Sequence, residues 1–159
     1  MDHLKPVKRS KKFDGLVEAL AKTDENRPKL FETIRELVVF AAMLGFAEGK
    51  RVKLSSAHKT EDISYQQFEF NNSNDFIYLI AVGETETTDV LKQESEIDIV
   101  LIFEEYANGG LETIAAWMSE FADENGHRAL IQGLIKNDYL EVGGDETITI
   151  EDIKNAVQF

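Results

Sequence analysis

The stretch Ile97–Glu120, IDIVLIFEEYANGGLETIAAWMSE, decides the fold. Apolar residues, interrupted by Glu104 and Asn108, recur along it at alternating spacings of three and four, the periodicity of an amphipathic helix. Two stripes lie side by side: Ile97, Leu101, Glu104, Asn108, Leu111, Ala115 and Met118, and Val100, Phe103, Ala107, Gly110, Ile114, Trp117 and Phe121. This double stripe predicts a central core helix wide enough to pack against more than one neighbour.

The middle of the stretch, Glu104–Gly110, interrupts the apolar pattern with the sequence EEYANGG. Two consecutive glycines disfavour a continuous helix by roughly 2 kcal/mol relative to alanine. The sequence therefore favours two helices with a break at Asn108 or Gly109. The alternative is one unbroken helix whose glycines let another backbone approach closely. In either case Glu104 and Asn108 lie on an apolar stripe, so they need hydrogen-bond partners.

Length and composition predict one globular domain over residues 13–159, because a chain of 159 residues with 43% hydrophobic content can bury a sizeable core. The absence of cysteine excludes disulfides and thiolate metal sites and is typical of a reducing compartment, so we expect a cytoplasmic protein. The longest apolar run, Leu37–Ala47, is shorter than the roughly 20 residues of a membrane span. We therefore expect no membrane association.

Charge is distributed unevenly along the chain. The net charge is −13, yet residues 1–12 carry +4, which leaves −17 on the rest. These first residues lack periodicity and predict a flexible basic arm. Because phosphate affinity comes largely from lysine and arginine, we expect DNA contact, if any, through this arm alone, with a solvated tail as the alternative. Its candidate contact residues are Lys5, Lys8, Arg9, Lys11 and Lys12.

The remaining patterns predict a mainly α, single-domain helical bundle with a small C-terminal β-hairpin. Helical periodicity covers 13–21, 30–45 and 127–137, and a cap at Ser73 or Asn74 favours helix for the apolar run 76–82. Residues 51–70 are compatible with a strand or with irregular structure. Alternating residues around Gly143 and Gly144 predict the hairpin over 139–150, and 151–157 is compatible with a last helical turn.

No catalytic constellation stands out in the sequence. Glu104 and Glu105 are adjacent, so on a helix they point about 100° apart and cannot face each other as an acid pair. The three histidines, His3, His58 and His127, lack the spacing of metal ligands. We expect no enzymatic activity, no metal and no cofactor. A partner-contacting polar notch is the hypothesis for the central cluster, with a purely structural role as the alternative; its residues are Glu104, Glu105, Tyr106, Asn108, Gly109 and Gly110.

The predicted helix and hairpin of 127–150 resemble the recognition helix and wing of winged-helix DNA binders. That class of regulator would use bases such as Arg128 and Lys136. Residues 138–151 hold five acids and no base, which is the wrong sign for a wing on phosphates.

Three segments together carry a resemblance to a family. Residues 37–46 (LVVFAAMLGF), 76–81 (FIYLIA) and 102–111 (IFEEYANGGL) resemble the small Dnd system-associated proteins over about residues 13–122. The resemblance implies a bacterial DNA phosphorothioation, restriction-modification and phage defence context, without a mechanism. It implies an accessory whose protein partner is a DNA modification or restriction enzyme. An acidic DNA mimic that occupies such an enzyme's DNA groove is the rival.

Overall fold

The fold is mainly helical, as predicted. The structure, a computed structural model, describes residues 5–22, 29–92, 95 and 97–141. Its helices are α1 (Asp14–Ala21), α2 (Ile34–Ala47), α3 (Tyr65–Phe70), α4 (Asn74–Thr85), α5 (Ile99–Glu120) and α6 (His127–Lys136). Its strands are β1 (Val7–Ser10) and β2 (Thr60–Ile63), and single 3₁₀ turns cover Lys11–Phe13 and Thr88–Leu91. No helix in these described ranges is both long and apolar enough to cross a membrane.

The chain divides into two compact units. The first is drawn from residues 1–12 and 38–111, and the second from residues 13–37 and 112–159. Helices α2 and α5 each contribute residues to both units. The expectation of one globular domain over 13–159 stays a prediction.

Helix α5 is a single unbroken helix, so the predicted break at Asn108 or Gly109 is wrong. Its glycines lie where backbones meet within the first unit. A Cβ added to Gly110 would lie 1.7 Å from the carbonyl oxygen of Ala41, and one added to Gly109 would lie 1.9 Å from that of Lys50. On the facing helix, a Cβ on Gly45 would lie 2.0 Å from the carbonyl oxygen of Tyr106. The helix propensity lost at two glycines, roughly 2 kcal/mol, is outweighed by the packing that this approach permits.

Four residues of the predicted arm form strand β1, and Lys11 and Lys12 after them begin a 3₁₀ turn. Val7–Ser10 pairs antiparallel with β2, in a register that places Val7 opposite Ile63 and Ser10 opposite Thr60. Val7 is completely buried, and Ile63 is buried beside it. The prediction of a flexible arm is therefore corrected for Lys5–Lys12, because a cross-strand apolar pair anchors it. The partner strand lies in the region that the sequence left undecided.

The second unit packs α6 and the C-terminal part of α5 through another close approach. Gly133 faces the indole of Trp117, which an added Cβ would meet at 2.1 Å. Asp123 caps α6, since its carboxylate accepts the backbone N–H groups of Ala129 at 3.0 Å and Asn125 at 3.2 Å. Although burial opposes ionisation, these N–H groups lower the pKa of Asp123. The helices predicted over 13–21 and 127–137 are confirmed, with ends shifted by one residue.

The predicted C-terminal hairpin is not supported. Tyr139–Glu141 is not a strand, and residues 142–159, which contain the rest of the hairpin and the last predicted helical turn, lie outside the described residues. The two strands that the structure describes come instead from the N-terminal part and the middle of the chain.

Replacing Gly110 by alanine tests the backbone contact between α2 and α5. The added methyl group would collide with the Ala41 carbonyl, so Gly110→Ala should lower the free energy of unfolding by about 3 kcal/mol or more. Gly15 is the matched control, because nothing lies within 4 Å of an added Cβ there. Gly15→Ala should raise the free energy by about 0.5–1 kcal/mol through helix propensity alone. Urea denaturation measures both, and equal effects would contradict the contact.

Candidate functional site

The cluster singled out from the sequence occupies about two buried turns of α5. Every residue from Ile102 to Leu111 is buried. Glu104, Glu105 and Asn108 are each 4% exposed, and Tyr106 is 6% exposed. The predicted partner-contacting notch of Glu104, Glu105, Tyr106, Asn108, Gly109 and Gly110 is therefore corrected: these residues lie in the interior of the first unit, where their polar groups bind its own chain.

Glu104 fastens strand β1 to α5. Its Oε1 accepts the backbone N–H of Lys8 at 3.0 Å. Burial raises the pKa of Glu104, although the Lys8 N–H and the charge of Lys5 oppose that rise. This carboxylate therefore binds a main-chain N–H of β1, the strand that pairs with β2. The bond is made at some cost in desolvation of the Glu104 carboxylate.

Glu105 and Tyr106 belong to a second network with Arg51 and Glu84. Arg51 donates from Nε at 3.0 Å and from Nη2 at 2.8 Å to one oxygen of Glu105, and from Nη1 at 2.9 Å to Glu84. The Tyr106 hydroxyl donates to the other oxygen of Glu84. Arg51 thus links the carboxylates of α4 and α5 through charge-assisted hydrogen bonds.

The pKa directions in this network favour its charged form. The hydrogen bond from Tyr106 and the guanidinium of Arg51 lower the pKa of Glu84. Burial and the hydrogen bond to Glu84 raise the pKa of Tyr106 to about 12. Although burial opposes its charge, the bonds to Glu105 and Glu84 raise the pKa of Arg51. At neutral pH the Tyr106 phenol is therefore neutral and donates its hydrogen bond to Glu84.

Asn108 holds the segment that follows α2. Its Nδ2 donates to the carbonyl oxygens of Val52 at 3.1 Å and Lys53 at 3.3 Å. The Val52 N–H donates to the Glu105 carbonyl oxygen at 3.0 Å. The Asn108 Oδ1 atom has no hydrogen-bond partner within the described residues. The main chain of Val52 and Lys53 is therefore bound to α5, both by the Asn108 side chain and by the Glu105 carbonyl oxygen.

The polar groups of the cluster hold segments of the chain together. The crevice beside Glu104 and Asn108, which Lys8 and Arg9 also line, leaves no room for a water-sized ligand. Over the ranges that the structure describes, no group of three or more histidine, aspartate or glutamate side chains is placed to hold a metal ion. The carboxylates of Glu104, Glu105 and Glu84 each already accept a donor from another chain segment.

The bases predicted to contact nucleic acid have different surroundings. Lys5 forms an ion pair with Asp98, and Lys11 forms one with Glu61 at 3.4 Å. Arg9 is 6% exposed and donates to the Ser10 carbonyl at 3.1 Å. Lys8 and Lys12 are exposed. Four of the five predicted bases thus reach the surface, whereas Arg9 is interior.

Two bases that a winged-helix reading would use contact their own unit. Arg128 donates to the Phe121 carbonyl at 3.0 Å, and Lys136 forms an ion pair with Glu120. Both contacts draw these side chains toward the end of α5.

Sequence reasoning missed Arg51 and Glu84 as members of the cluster. Arg51 lies 54 residues from Glu105 and 33 from Glu84 along the chain. No local periodicity relates positions so far apart. The one available signal was the burial of Glu104 and Asn108, which predicts partners without identifying them.

The fold and the cluster define a mainly helical, acidic protein whose polar centre serves its own architecture. The model of the family described as DNA sulphur modification system-associated protein 4 matches residues 6–147. The chain belongs to this family, which is associated with DNA sulphur modification systems. The resemblance to Dnd system-associated proteins is therefore confirmed. No curated protein and no solved structure matches the chain.

Removing Arg51 should destabilise the protein, because Glu105 would remain buried without a counter-charge. We expect Arg51→Met to lower the free energy of unfolding by about 2 kcal/mol, less than for a fully buried pair because Arg51 is partly exposed. Lys53→Met is the matched control, since Lys53 is exposed and its carbonyl, which Asn108 binds, is retained. Adding Glu105→Gln to Arg51→Met should restore part of the loss. Equal stability of the two single variants would contradict the role of Arg51.

The raised pKa of Glu104 predicts a specific pH dependence. The folded state holds a proton on Glu104 at pH values where the unfolded chain, with an ordinary pKa of about 4.3, has lost it. Ionised Glu104 therefore lowers stability above its folded pKa, and this penalty disappears as the pH falls into the ordinary glutamate range. Glu104→Gln removes the titration. Urea denaturation between about pH 4 and 7 should show the difference in unfolding free energy moving in favour of the variant as the pH rises; a constant difference would contradict it.

Proposed function

We propose that the protein is a non-catalytic accessory of a bacterial DNA sulphur modification system, acting by binding a protein of that system. Family membership supplies the association with such systems. The binding mode is argued from the surface of α3 and α4. Its consequences for restriction and phage defence would follow from the activity of the partner.

Charge is one property of this surface. Residues 65–86, which include α3 and α4, contain four acids and neither lysine nor arginine. Asp75 in the first turn of α4 and Glu86, the residue that follows its last turn, are both exposed. Such a surface attracts a basic partner and repels nucleic acid.

Exposed apolar side chains are the second property. Leu79 lies four residues after Asp75, on the same face of α4, and is 58% exposed. Phe70 at the end of α3 is 90% exposed. We call Glu69, Phe70, Asp75, Leu79 and Glu86 the acidic face. Protein interfaces commonly combine apolar anchors at the centre with a charged rim. The exposure of Leu79 beside Asp75 on α4 is the observation that carries the proposal.

An acidic DNA mimic requires carboxylates that reproduce the spacing of phosphates. Large apolar side chains such as Phe70 and Leu79 have no counterpart on a DNA backbone, which favours recognition of a protein surface outside the DNA groove. A bound enzyme should then retain its DNA.

The acidic face predicts which substitutions disrupt the complex. Each protein encoded with the modification system can be tested for binding by calorimetry or pull-down. Phe70→Ser with Leu79→Ser should weaken the complex about tenfold or more, as expected for anchors of an interface. Tyr139→Ser is the control, because Tyr139 is 45% exposed but belongs to the second unit.

Charge gives an independent arm of the same experiment. Asp75→Lys with Glu86→Lys should reduce the association rate most strongly at low salt. Displacement of the protein from its partner by duplex DNA would support the mimic instead. Undiminished binding by both double variants would overturn the acidic face as the interface.

A further inference from the structure

Two short segments of the first unit concentrate its positive charge. Residues 5–12 contain five bases and no acid, and residues 50–59 contain Lys50, Arg51, Lys53 and Lys59 and no acid. More than half of the 17 lysines and arginines of the chain therefore lie in these two segments. In a protein of net charge −13, these segments concentrate bases locally. On the paired strand β2, the acids Glu61 and Asp62 lie opposite Arg9 and Lys8, so the bases outnumber the acids there without excluding them.

The β-ribbon joins the two segments at one end. The Lys11 N–H donates to the Lys59 carbonyl oxygen at 2.8 Å, and Ser10 lies opposite Thr60 in the pairing of β1 with β2. Lys11, Lys12 and Lys59 are exposed there. The ends of two segments that are remote in sequence are thus adjacent through main-chain contacts.

The buried part of α5 around Glu104 and Asn108 also binds both segments. Glu104 accepts the Lys8 N–H, and Asn108 donates to the Lys53 carbonyl oxygen. Glu104 and Asn108 are four residues apart, so their side chains are neighbours on one helical face. The cluster therefore holds the main chains of Lys8 and Lys53 against the same face of α5.

The ammonium groups at these positions are available to a ligand. Lys8, Lys53 and Lys59 are exposed and form no ion pair within the part of the chain that the structure describes. Lys11 forms one exposed pair, with Glu61, which a stronger anion can replace. Five exposed lysines of the two segments form what we call the basic face: Lys8, Lys11, Lys12, Lys53 and Lys59. The sixth, Lys5, pairs with Asp98 and is not included.

We infer that the basic face binds the phosphate backbone of duplex DNA. This goes beyond the proposed function, because it concerns a second surface and a second class of partner. Lysines bind phosphates as point charges and read no base sequence, so the binding is independent of DNA sequence. It differs from contact through a flexible arm, because residues 50–59 contribute and the lysines are held by an ordered framework.

The composition of the two segments distinguishes duplex DNA from other polyanions. Neither segment contains phenylalanine, tyrosine or tryptophan, so neither offers the stacking platform that single-stranded nucleic acid requires. Their largest apolar side chains, Val7, Val52 and Leu54, are buried or only partly exposed, so none is an anchor for a lipid surface. Membership of a family associated with DNA sulphur modification systems agrees with a DNA partner.

Fluorescence anisotropy with a labelled duplex of arbitrary sequence tests the inference on the full chain. If all five lysines neutralise phosphates, the logarithm of the binding constant should fall with the logarithm of salt concentration with a slope of about −4.5. Shuffled duplexes should bind equally well. A protein that does not bind duplex DNA at about 50 mM salt would overturn the inference.

Matched pairs of neutralising substitutions locate the contact. Lys53→Gln with Lys59→Gln should reduce the magnitude of the slope by about 2, and Lys8→Gln with Lys12→Gln should do the same. Lys22→Gln with Lys136→Gln makes the same change in net charge in the second unit and should leave the slope unchanged. Circular dichroism checks that each variant is folded.

The outcomes separate this inference from its rivals. A loss of DNA binding restricted to Lys8→Gln with Lys12→Gln would assign binding to residues 5–12 alone. That result would overturn the basic face as a surface built from both segments. Equal loss in all three pairs would indicate a net-charge effect and overturn it as well. Preferential binding to single strands, or binding to phosphatidylserine vesicles without binding to duplex DNA, would identify another ligand. None of these results depends on the acidic face, so failure here is distinguishable from failure of the proposed function.

Discussion

The structure depends on the direct contact of two helix backbones. At Gly45 and Gly110 the main chains of α2 and α5 approach so closely that neither position has room for a single methyl group. Around this contact the middle of α5 is buried on all sides, and this part of the helix carries the carboxylates of Glu104 and Glu105 and the amide of Asn108. Once buried, those groups need donors and acceptors, and the chain supplies them from β1, from α4 and from the segment after α2. The polar core is thus a consequence of tight apolar packing.

Sequence periodicity predicted what local interactions determine. The helices corresponding to α2, α5 and α6 follow from apolar spacing of three and four, which any helix of that amphipathicity displays. The break in α5 was predicted from glycine propensity, an effect of about 1 kcal/mol per residue that tertiary packing routinely overrides. The decisive information was the position of Ala41 and Lys50, residues that no local pattern connects to Gly110 and Gly109.

The members of the polar cluster were predictable only in part. Glu104 and Asn108 lie on an apolar stripe, and this position alone indicates burial and a need for partners. Their partners are Lys8, Val52 and Lys53, which are 96, 56 and 55 residues away along the chain. Strand β1 was missed for the same reason: four residues are too few to show alternation, and its partner lies beyond a helix. Long-range pairing therefore explains why the segment looked like a solvated arm.

Trp117 gives the second unit an optical signature. It is the one tryptophan of the chain, it is 5% exposed, and its indole rests against Gly133 at the centre of α6. Its emission spectrum therefore reports the packing of α5 on α6. Light above about 295 nm excites tryptophan and hardly excites tyrosines such as Tyr65 and Tyr106 of the first unit. Denaturation can be followed both by the red shift of the Trp117 emission and by far-ultraviolet ellipticity. Coincident curves would show that the two units unfold in one cooperative transition, and separate curves would show two.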